Sequence, residues 1–174
     1  MAENLLTFDK LVQALIQQES SGRSGAVSPA GAIGLMGIMP EDFMQSPRRN
    51  VPSVFEAARA LGYDISPQDE TKSRAIELLK DPEINMAVGQ PYLHELMSKY
   101  GSDTESSLTA YNAGPEKYDR FGSAAALDLP EQRTYAKDVS EEYETLFGSP
   151  LPKNLGVLVS PRPPARPQGL LNGW

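Results

Sequence analysis

The sequence predicts an all-α domain followed by an extended, proline-rich tail. Three observations predict this fold class. Apolar residues recur at helical spacing, helix start and stop residues punctuate residues 7–147, and no segment alternates apolar and polar residues as a strand does. Of the 174 residues, 40% are hydrophobic, which is enough for one compact core.

Composition excludes several classes of function. The formal charge is −7 and the pI is near 4.8, which argues against binding to nucleic acid, because that binding depends on Lys and Arg at the phosphates. No apolar run approaches the ~20 residues of a membrane span. The chain has no cysteine and a single histidine, His94, so thiolate and multi-histidine metal sites are excluded.

The first helix is predicted to run from Phe8 to Ser20. Thr7 is a suitable N-cap, and Gly22 is placed to end the helix. The apolar residues of this segment share one face at helical spacing. They are Phe8, Leu11, Val12, Leu15 and Ile16.

Later helices are predicted from capping residues and from proline at the first helical position. The predicted starts are Pro40, Ser53 with Glu56, Ser66 with Pro67, Asp81 with Pro82, Ser102 with Glu105, and Pro130. Gly62 and Gly101 end two of these helices, and the sequence Gly114-Pro115 ends another. The last helix is expected to continue to Phe147.

The composition changes after Phe147. Six prolines fall between positions 150 and 167, and a segment of this kind cannot be helical and buries little surface. We therefore expect a domain over residues 1–147 and an extended tail over residues 148–174. Two interpretations of this tail stay open: it anchors the domain to a partner, or it packs along the chain's own domain.

Glu19 continues the apolar face of the first helix, four positions after Leu15 and three after Ile16. A carboxylate there is partly desolvated, which raises its pKa, and the negative end of the helix dipole acts in the same direction. A raised pKa suits a general acid that must hold its proton near neutral pH. An exposed glutamate at a fraying helix end fits the same spacing, so periodicity alone leaves both interpretations open.

Four groups of residues then follow one another in a characteristic order. Glu19-Ser20 is followed by residues 28–40 (SPAGAIGLMGIMP), residues 110–115 (AYNAGP) and residues 131–135 (EQRTY). This ordered set resembles the soluble lytic transglycosylase family, which has a goose-lysozyme-like fold. The resemblance implies a single, mainly helical, lysozyme-like domain.

The resemblance also implies an activity on peptidoglycan. Glu19 would protonate the glycosidic oxygen between N-acetylmuramic acid and N-acetylglucosamine, and would then accept the proton of the muramic acid C6 hydroxyl. That hydroxyl closes on C1 and gives a 1,6-anhydro product without water. Substrate assistance by the N-acetyl group removes the need for the second carboxylate of a typical glycosidase, and no metal or cofactor is required.

Substrate-binding residues follow from the same resemblance. Tyr111 would contact and orient Glu19, Asn112 and Gly114 would shape the turn beside the acid, and Glu131 and Tyr135 would support the groove from the last helix. The full set predicted to bind the glycan is Ser28, Met36, Gly37, Met39, Tyr111, Asn112, Glu131 and Tyr135.

Gly37 departs from the pattern, because the family usually has Gln at this position. Gly offers the sugar only its backbone, which places substrate affinity in question. Gly37 thus keeps open a glycan-binding or structural protein that has the fold but little turnover. Independently of Gly37, a hydrolytic muramidase on the same fold is also an alternative to the transglycosylase.

The N-terminal residues have no basic region and no long apolar region, so no export signal is visible. A phage virion protein reaches the cell wall without secretion. We therefore expect a virion-associated enzyme that opens the wall locally during infection, acts in the host periplasm or cell wall, and binds tail or other virion proteins through residues 148–174. A bacterial periplasmic enzyme is the alternative.

Overall fold

A computed structural model describes residues 2–127 and 129–156. This part of the chain forms α-helices joined by loops and short 3₁₀ turns, and it contains isolated β-bridges but no β-strand. The helices are α1 (Ala2–Ser20), α2 (Val54–Ala60), α3 (Lys72–Leu78), α4 (Pro82–Lys99), α5 (Thr104–Ala113), α6 (Pro115–Phe121) and α7 (Pro130–Phe147). The predicted all-α fold class is confirmed.

The helices pack around one core. The long helices α1 and α7 lie against each other, α7 also packs on α5, and α5 packs on α4, which in turn contacts α2. The stripe predicted on α1 faces this core, since Phe8, Leu11, Val12 and Leu15 are buried. None of the described helices combines the length and the apolar character needed to cross a membrane.

Local sequence signals fixed several helix ends correctly. Ser53 and Glu56 form the predicted capping box at the start of α2. The Asp81 carboxylate accepts hydrogen bonds from the backbone N–H groups of Glu83 and Ile84 at the start of α4. Helix α7 begins at Pro130 and ends at Phe147, as predicted.

Other helix starts differ from the prediction. Helix α1 begins at Ala2 rather than Phe8, because residues of high helix propensity extend it beyond its buried stripe, so Thr7 is not its N-cap. Asp103, not Ser102, caps α5 by accepting from the Ser106 N–H. Ser66-Pro67 opens only a 3₁₀ turn, and α3 is capped instead by Thr71.

Helix α6 was not predicted, although Gly114-Pro115 marks its start as much as it marks the end of α5. Pro115 occupies the first turn of α6, and Gly122 closes the helix in the left-handed conformation. Signals for both ends of α6 are thus present in the sequence, but Gly114-Pro115 fits the end of one helix and the start of the next equally well.

The start of the predicted tail lies against the domain. The Thr104 N–H donates to the Lys153 carbonyl at 3.0 Å, and the Leu155 N–H donates to the Ser102 carbonyl at 3.3 Å. The Leu155 side chain is buried. Residues 150–156 therefore fold onto the loop between α4 and α5, while residues 157–174 lie outside the described residues.

The buried side-chain amide of Asn85 on α4 connects three parts of the chain. Its Nδ2 donates to the carbonyls of Ile33 and Leu79, each at 2.9 Å, and its Oδ1 accepts from the Met36 N–H at 2.8 Å. Both the nitrogen and the oxygen of the Asn85 side chain are hydrogen-bonded to backbone groups in the core, where an unpaired polar group is costly. Asn85 therefore fixes the turn formed by residues 33–37 against α4 and the end of α3.

Replacing Asn85 should destabilise the domain strongly. We expect Asn85→Ala to lower the free energy of unfolding by about 3 kcal/mol, because it removes three hydrogen bonds in the core. The Met36 N–H and the Leu79 carbonyl lose the partner that Asn85 supplies, and the Ile33 carbonyl keeps only the Ile38 N–H. Urea unfolding followed by circular dichroism measures the change. Asn50→Ala, at an exposed site, is the matched control and should change stability by less than about 0.5 kcal/mol. Equal effects of the two substitutions would contradict this role of Asn85.

Candidate active site

Glu19 lies in the last turn of α1, on the side that faces α7 and the turn of residues 33–37. Its side chain is half-buried. The Tyr135 hydroxyl of α7 donates a hydrogen bond to Glu19 Oε1. The packing of α1 on α7 thus brings together two residues that are 116 positions apart in sequence.

Burial raises the pKa of the Glu19 carboxyl from 4.5 to about 7, and the hydrogen bond from Tyr135 partly opposes this rise. The direction expected from the sequence is confirmed. Burial also raises the pKa of the Tyr135 hydroxyl well above 10, and the charge of Glu19 adds to this effect. Tyr135 therefore keeps its proton and acts as a donor to Glu19, which is itself close to half-protonated at neutral pH.

The turn of residues 33–37 forms the wall beside Glu19. The backbone groups of Ile33 and Ile38 pair with each other at 2.9 and 3.0 Å, and Gly34 and Gly37 both have positive φ. At Gly34 a Cβ atom would lie 2.2 Å from Asn85 Nδ2, so the turn can approach α4 only with glycine at this position. Ser20 Oγ, next to the acid, donates to the Leu35 carbonyl at 3.0 Å.

Tyr111 has a different partner from the one predicted. Its buried hydroxyl donates to the Met36 carbonyl at 2.8 Å, and no hydrogen bond joins it to Glu19. Burial raises the pKa of the Tyr111 hydroxyl well above 10, and the nearby charge of Glu19 adds to this rise. Tyr111 holds the turn in place, and Tyr135 takes the direct contact with the acid that the sequence assigned to Tyr111.

A groove of about 600 Å³ opens in front of Glu19. Most of the predicted site residues line this groove, which brings together four separate stretches of the chain. They are Glu19, Ser28, Gly37, Met39, Tyr111, Asn112, Glu131 and Tyr135.

Met36 does not line the groove, and the prediction that its side chain binds the glycan is wrong. The side chain is fully buried and packs against Gly89 of α4, where an added Cβ would lie 2.5 Å from the Met36 sulfur. The Asn85 bond to the Met36 backbone turns this residue inward, while Met39, three positions later, remains at the groove.

The groove also contains side chains that the sequence did not single out. Asp138 lies seven positions after Glu131 on α7, and Gln18, Asp42, Tyr92 and Gln132 are further lining residues with polar groups. Helical spacing could have identified Asp138, because residues at i, i+4 and i+7 share a helix face and Glu131, Tyr135 and Asp138 have this spacing. Asp42 lies in a 3₁₀ turn without such a pattern.

The described residues offer no cluster of three or more histidine, aspartate or glutamate side chains that could hold a metal ion. In the described part of the chain, four carboxyl groups line the groove and can take part in acid–base chemistry: those of Glu19, Asp42, Glu131 and Asp138.

The fold and the groove define a helical, lysozyme-like domain. Residues 7–126 match the transglycosylase SLT domain family, and the chain belongs to that family. It is 29% identical over 138 residues to the soluble lytic murein transglycosylase of Escherichia coli K12, and 26% identical over 138 residues to the protein of the same name from Salmonella typhimurium LT2.

Solved structures agree with this assignment. The crystal structure of the 70 kDa soluble lytic transglycosylase of Escherichia coli covers 81% of this chain, with a TM-score of 0.55 and 27% identity. The complex of the 70 kDa soluble lytic transglycosylase with bulgecin A covers 83%, with a TM-score of 0.56 and 26% identity. The inactive mutant of Slt from Pseudomonas aeruginosa shares the fold, with a TM-score of 0.56, 24% identity and 83% coverage.

The likeness is confined to part of those proteins. The matched segment is 72% of this chain but only 18% of each curated relative, and 22% or 23% of the matching structures. The chain thus spans about a fifth of the length of the relatives that it matches.

The buried acid should make stability depend on pH. The pKa of Glu19 is about 7 in the folded chain against 4.5 for the free group, so the folded state binds the extra proton between these values. The stability that protonated Glu19 permits is fully present below pH 4.5 and is lost as the pH rises through about 7. The loss amounts to about 3 kcal/mol, since one pKa unit corresponds to about 1.4 kcal/mol.

Glu19→Gln keeps the shape of the protonated acid and removes the titration. We expect this variant to match the wild type at pH 4.5 and to exceed its free energy of unfolding by about 3 kcal/mol at pH 8. Urea unfolding at the two pH values tests this. Glu144→Gln, at an exposed position of α7, should change little at either pH. A Glu19→Gln variant with the same advantage at both pH values would contradict a buried, titrating acid.

Proposed function

We propose that this chain is a peptidoglycan lytic transglycosylase, which cleaves the β-1,4 bond between N-acetylmuramic acid and N-acetylglucosamine. One observation carries the proposal: a half-buried carboxyl with a pKa of about 7 faces a groove of about 600 Å³ and accepts a hydrogen bond from a tyrosine hydroxyl. Membership of the transglycosylase SLT domain family, and the names of the relatives from Escherichia coli and Salmonella typhimurium, support this activity.

The first step uses protonated Glu19 as a general acid. Its proton passes to the glycosidic oxygen as the bond from that oxygen to C1 of the muramic acid breaks, which releases the N-acetylglucosamine side as an alcohol. The N-acetyl carbonyl of the muramic acid stabilises the positive charge that develops at C1. The hydrogen bond from Tyr135 to Oε1 orients the carboxyl and stabilises the carboxylate once its proton has left.

The second step uses the same carboxylate as a base. Glu19 accepts the proton of the C6 hydroxyl while O6 forms a bond to C1, which closes the 1,6-anhydro ring and restores the protonated acid. No water is consumed, and the groove must therefore hold the C6 hydroxyl closer to C1 than any water. Tyr111 serves this geometry indirectly, because it fixes the turn that forms the wall of the groove.

Product analysis tests the proposal. We expect digestion of purified sacculi to release muropeptides with 1,6-anhydro ends, each lighter by one water than a reducing end. Glu19→Gln should lower the rate about 10²- to 10⁴-fold, because it removes a general acid and base, and Glu144→Gln should leave the rate unchanged. If wild type and Glu19→Gln clear sacculi equally poorly, the chain is not an enzyme of this kind.

A hydrolytic muramidase is the second candidate, and the composition of the groove supports it. Asp42, Glu131 and Asp138 line the groove together with Glu19, so a second carboxylate is available to activate water. The same digestion separates the two activities, because hydrolysis gives reducing ends. Reducing ends that disappear in Asp42→Asn, Glu131→Gln or Asp138→Asn would assign the water-activating base.

We further propose that the enzyme acts from a phage particle on the host cell wall, attached through the proline-rich segment; a bacterial periplasmic enzyme is the alternative. The composition of residues 148–174 supports an attachment role, since its prolines favour extended chain that a partner surface can bind. The contacts of Lys153 and Leu155 with the α4–α5 loop indicate that the attachment segment begins after these residues.

Deleting residues 157–174 should separate the two roles. We expect the truncated chain to digest sacculi at the wild-type rate and to be lost from purified particles, as measured by immunoblot. Deletion from residue 148 should also destabilise the domain, because it removes the buried Leu155 and the backbone bonds to the α4–α5 loop. Equal incorporation of the full-length and 157–174-deleted chains would contradict attachment through this segment.

A further inference from the structure

The backbone of Gly37 lies directly against the carboxyl of Glu19. A Cβ atom built at Gly37 would lie 2.2 Å from Oε2, 2.7 Å from Cδ and 3.3 Å from Cγ of Glu19. The first two distances are far inside van der Waals contact between heavy atoms. In this chain, the space that a Cβ would fill at position 37 is therefore already occupied by the carboxyl of Glu19.

Neither partner in this contact can move away freely. The Tyr135 hydroxyl holds Glu19 Oε1 from the side of α7. On the other side, Asn85 holds the Met36 N–H at 2.8 Å, and Tyr111 holds the Met36 carbonyl at 2.8 Å, immediately before Gly37. The carboxyl of Glu19 and the turn are thus each held by groups from other helices. The space between them leaves room for glycine at position 37 but not for a Cβ atom.

We propose that Gly37 is a positioning residue, whose bare backbone forms the seat in which the Glu19 carboxyl meets Tyr135. A side chain at position 37 would displace the carboxyl from this seat toward the groove. The inference rests on the proposed function only for the role of Glu19 as acid and base, because the position of the carboxyl against Gly37 follows from packing alone. It also gives Gly37 a role that the sequence did not indicate, since the sequence showed only that glycine lacks a side chain to contact the sugar.

Displacement of the carboxyl has consequences that can be measured without substrate. A carboxyl pushed toward the groove is better hydrated, and hydration favours its charged form. It also leaves the hydroxyl of Tyr135 without its acceptor in a buried position. Gly37→Ala should therefore change the titration of Glu19 itself, which strain in the turn alone would not do.

The experiment compares Gly37→Ala with Gly22→Ala. Both glycines have positive φ, 60° at Gly37 and 75° at Gly22, but a Cβ at Gly22 would meet nothing within 4 Å. Gly22→Ala therefore reports the cost of the left-handed backbone alone. The two variants and the wild type are titrated by NMR of ¹³C-labelled glutamate carboxyls, with Glu19→Gln used to assign the signal of Glu19.

We expect the Glu19 midpoint to fall by about one pH unit or more in Gly37→Ala and to stay at the wild-type value in Gly22→Ala. Gly37→Ala should also lower Tm by about 3 °C or more beyond the effect of Gly22→Ala. Unchanged titration of Glu19 in a folded Gly37→Ala variant would overturn the proposal.

A second pair of variants covers the case in which Gly37→Ala does not fold. In a Glu19→Ala background the carboxyl is absent, so alanine at position 37 has room. We expect the double variant Glu19→Ala/Gly37→Ala to fold, with a fall in Tm relative to Glu19→Ala no larger than that of Gly22→Ala relative to wild type. If the double variant also fails to fold, the backbone strain accounts for the defect, and the seat is disproved.

Activity separates this proposal from the proposed function. If the chain digests sacculi, Gly37→Ala should lower kcat on the order of 100-fold with little change in KM, since a displacement of about 1 Å at the reacting group has such an effect. If the wild type proves inactive while the titration and Tm results hold, the proposed function fails and the seat stands. If the wild type is active and Gly37→Ala changes KM alone, Gly37 binds substrate and does not position the acid.

Discussion

The side-chain amide of Asn85 is the constraint on which the site depends. Its hydrogen bonds to Ile33, Met36 and Leu79 fix the turn of residues 33–37 on the core. This turn provides the Met36 carbonyl that accepts from the Tyr111 hydroxyl, and it forms the wall against which Glu19 lies. Ile33 and Met36 of this turn are buried in the core, so the backbone groups beside them need partners there, and Asn85 supplies hydrogen bonds that would be costly to break in the buried interior.

The environment of Glu19 sets two opposing effects against each other. Burial disfavours the carboxylate, and the Tyr135 hydroxyl favours it, yet the pKa of Glu19 still rises to about 7. Burial is therefore the larger effect. A group used first as an acid and then as a base works best when neither form is strongly preferred at the working pH. Burial in the last turn of α1 and a single donor on α7 together produce this balance, and the close approach of Gly37 allows both to act on the same carboxyl.

Most helices could be predicted from the sequence because capping residues and prolines within a few positions of each end determine where the helix starts or stops. Ser53, Asp81 and Pro130 mark helix starts whose signals act within a few residues. The errors arose where two neighbours could serve the same role, as with Ser102 and Asp103, or where one proline could end one helix and begin the next, as at Pro115. Such choices depend on contacts outside the segment; Ser102, for example, donates its hydroxyl to the Gly156 carbonyl.

The sequence by itself determined the helical fold class and the family, and it placed Glu19 in line with the apolar face of the first helix. These follow from residue spacing and from motifs that are local in the chain. Whether that carboxyl is buried, with a raised pKa, or exposed was left open by the spacing and was decided by the structure. Only the tertiary structure decided that Tyr135 rather than Tyr111 bonds Glu19, that Met36 turns into the core, and that Gly37 gives up its side-chain space to the acid. Each of these contacts depends on how α1, α4, α5 and α7 pack around the turn of residues 33–37. The side chains involved come from distant segments, and spacing along the chain does not specify which of them will be in contact.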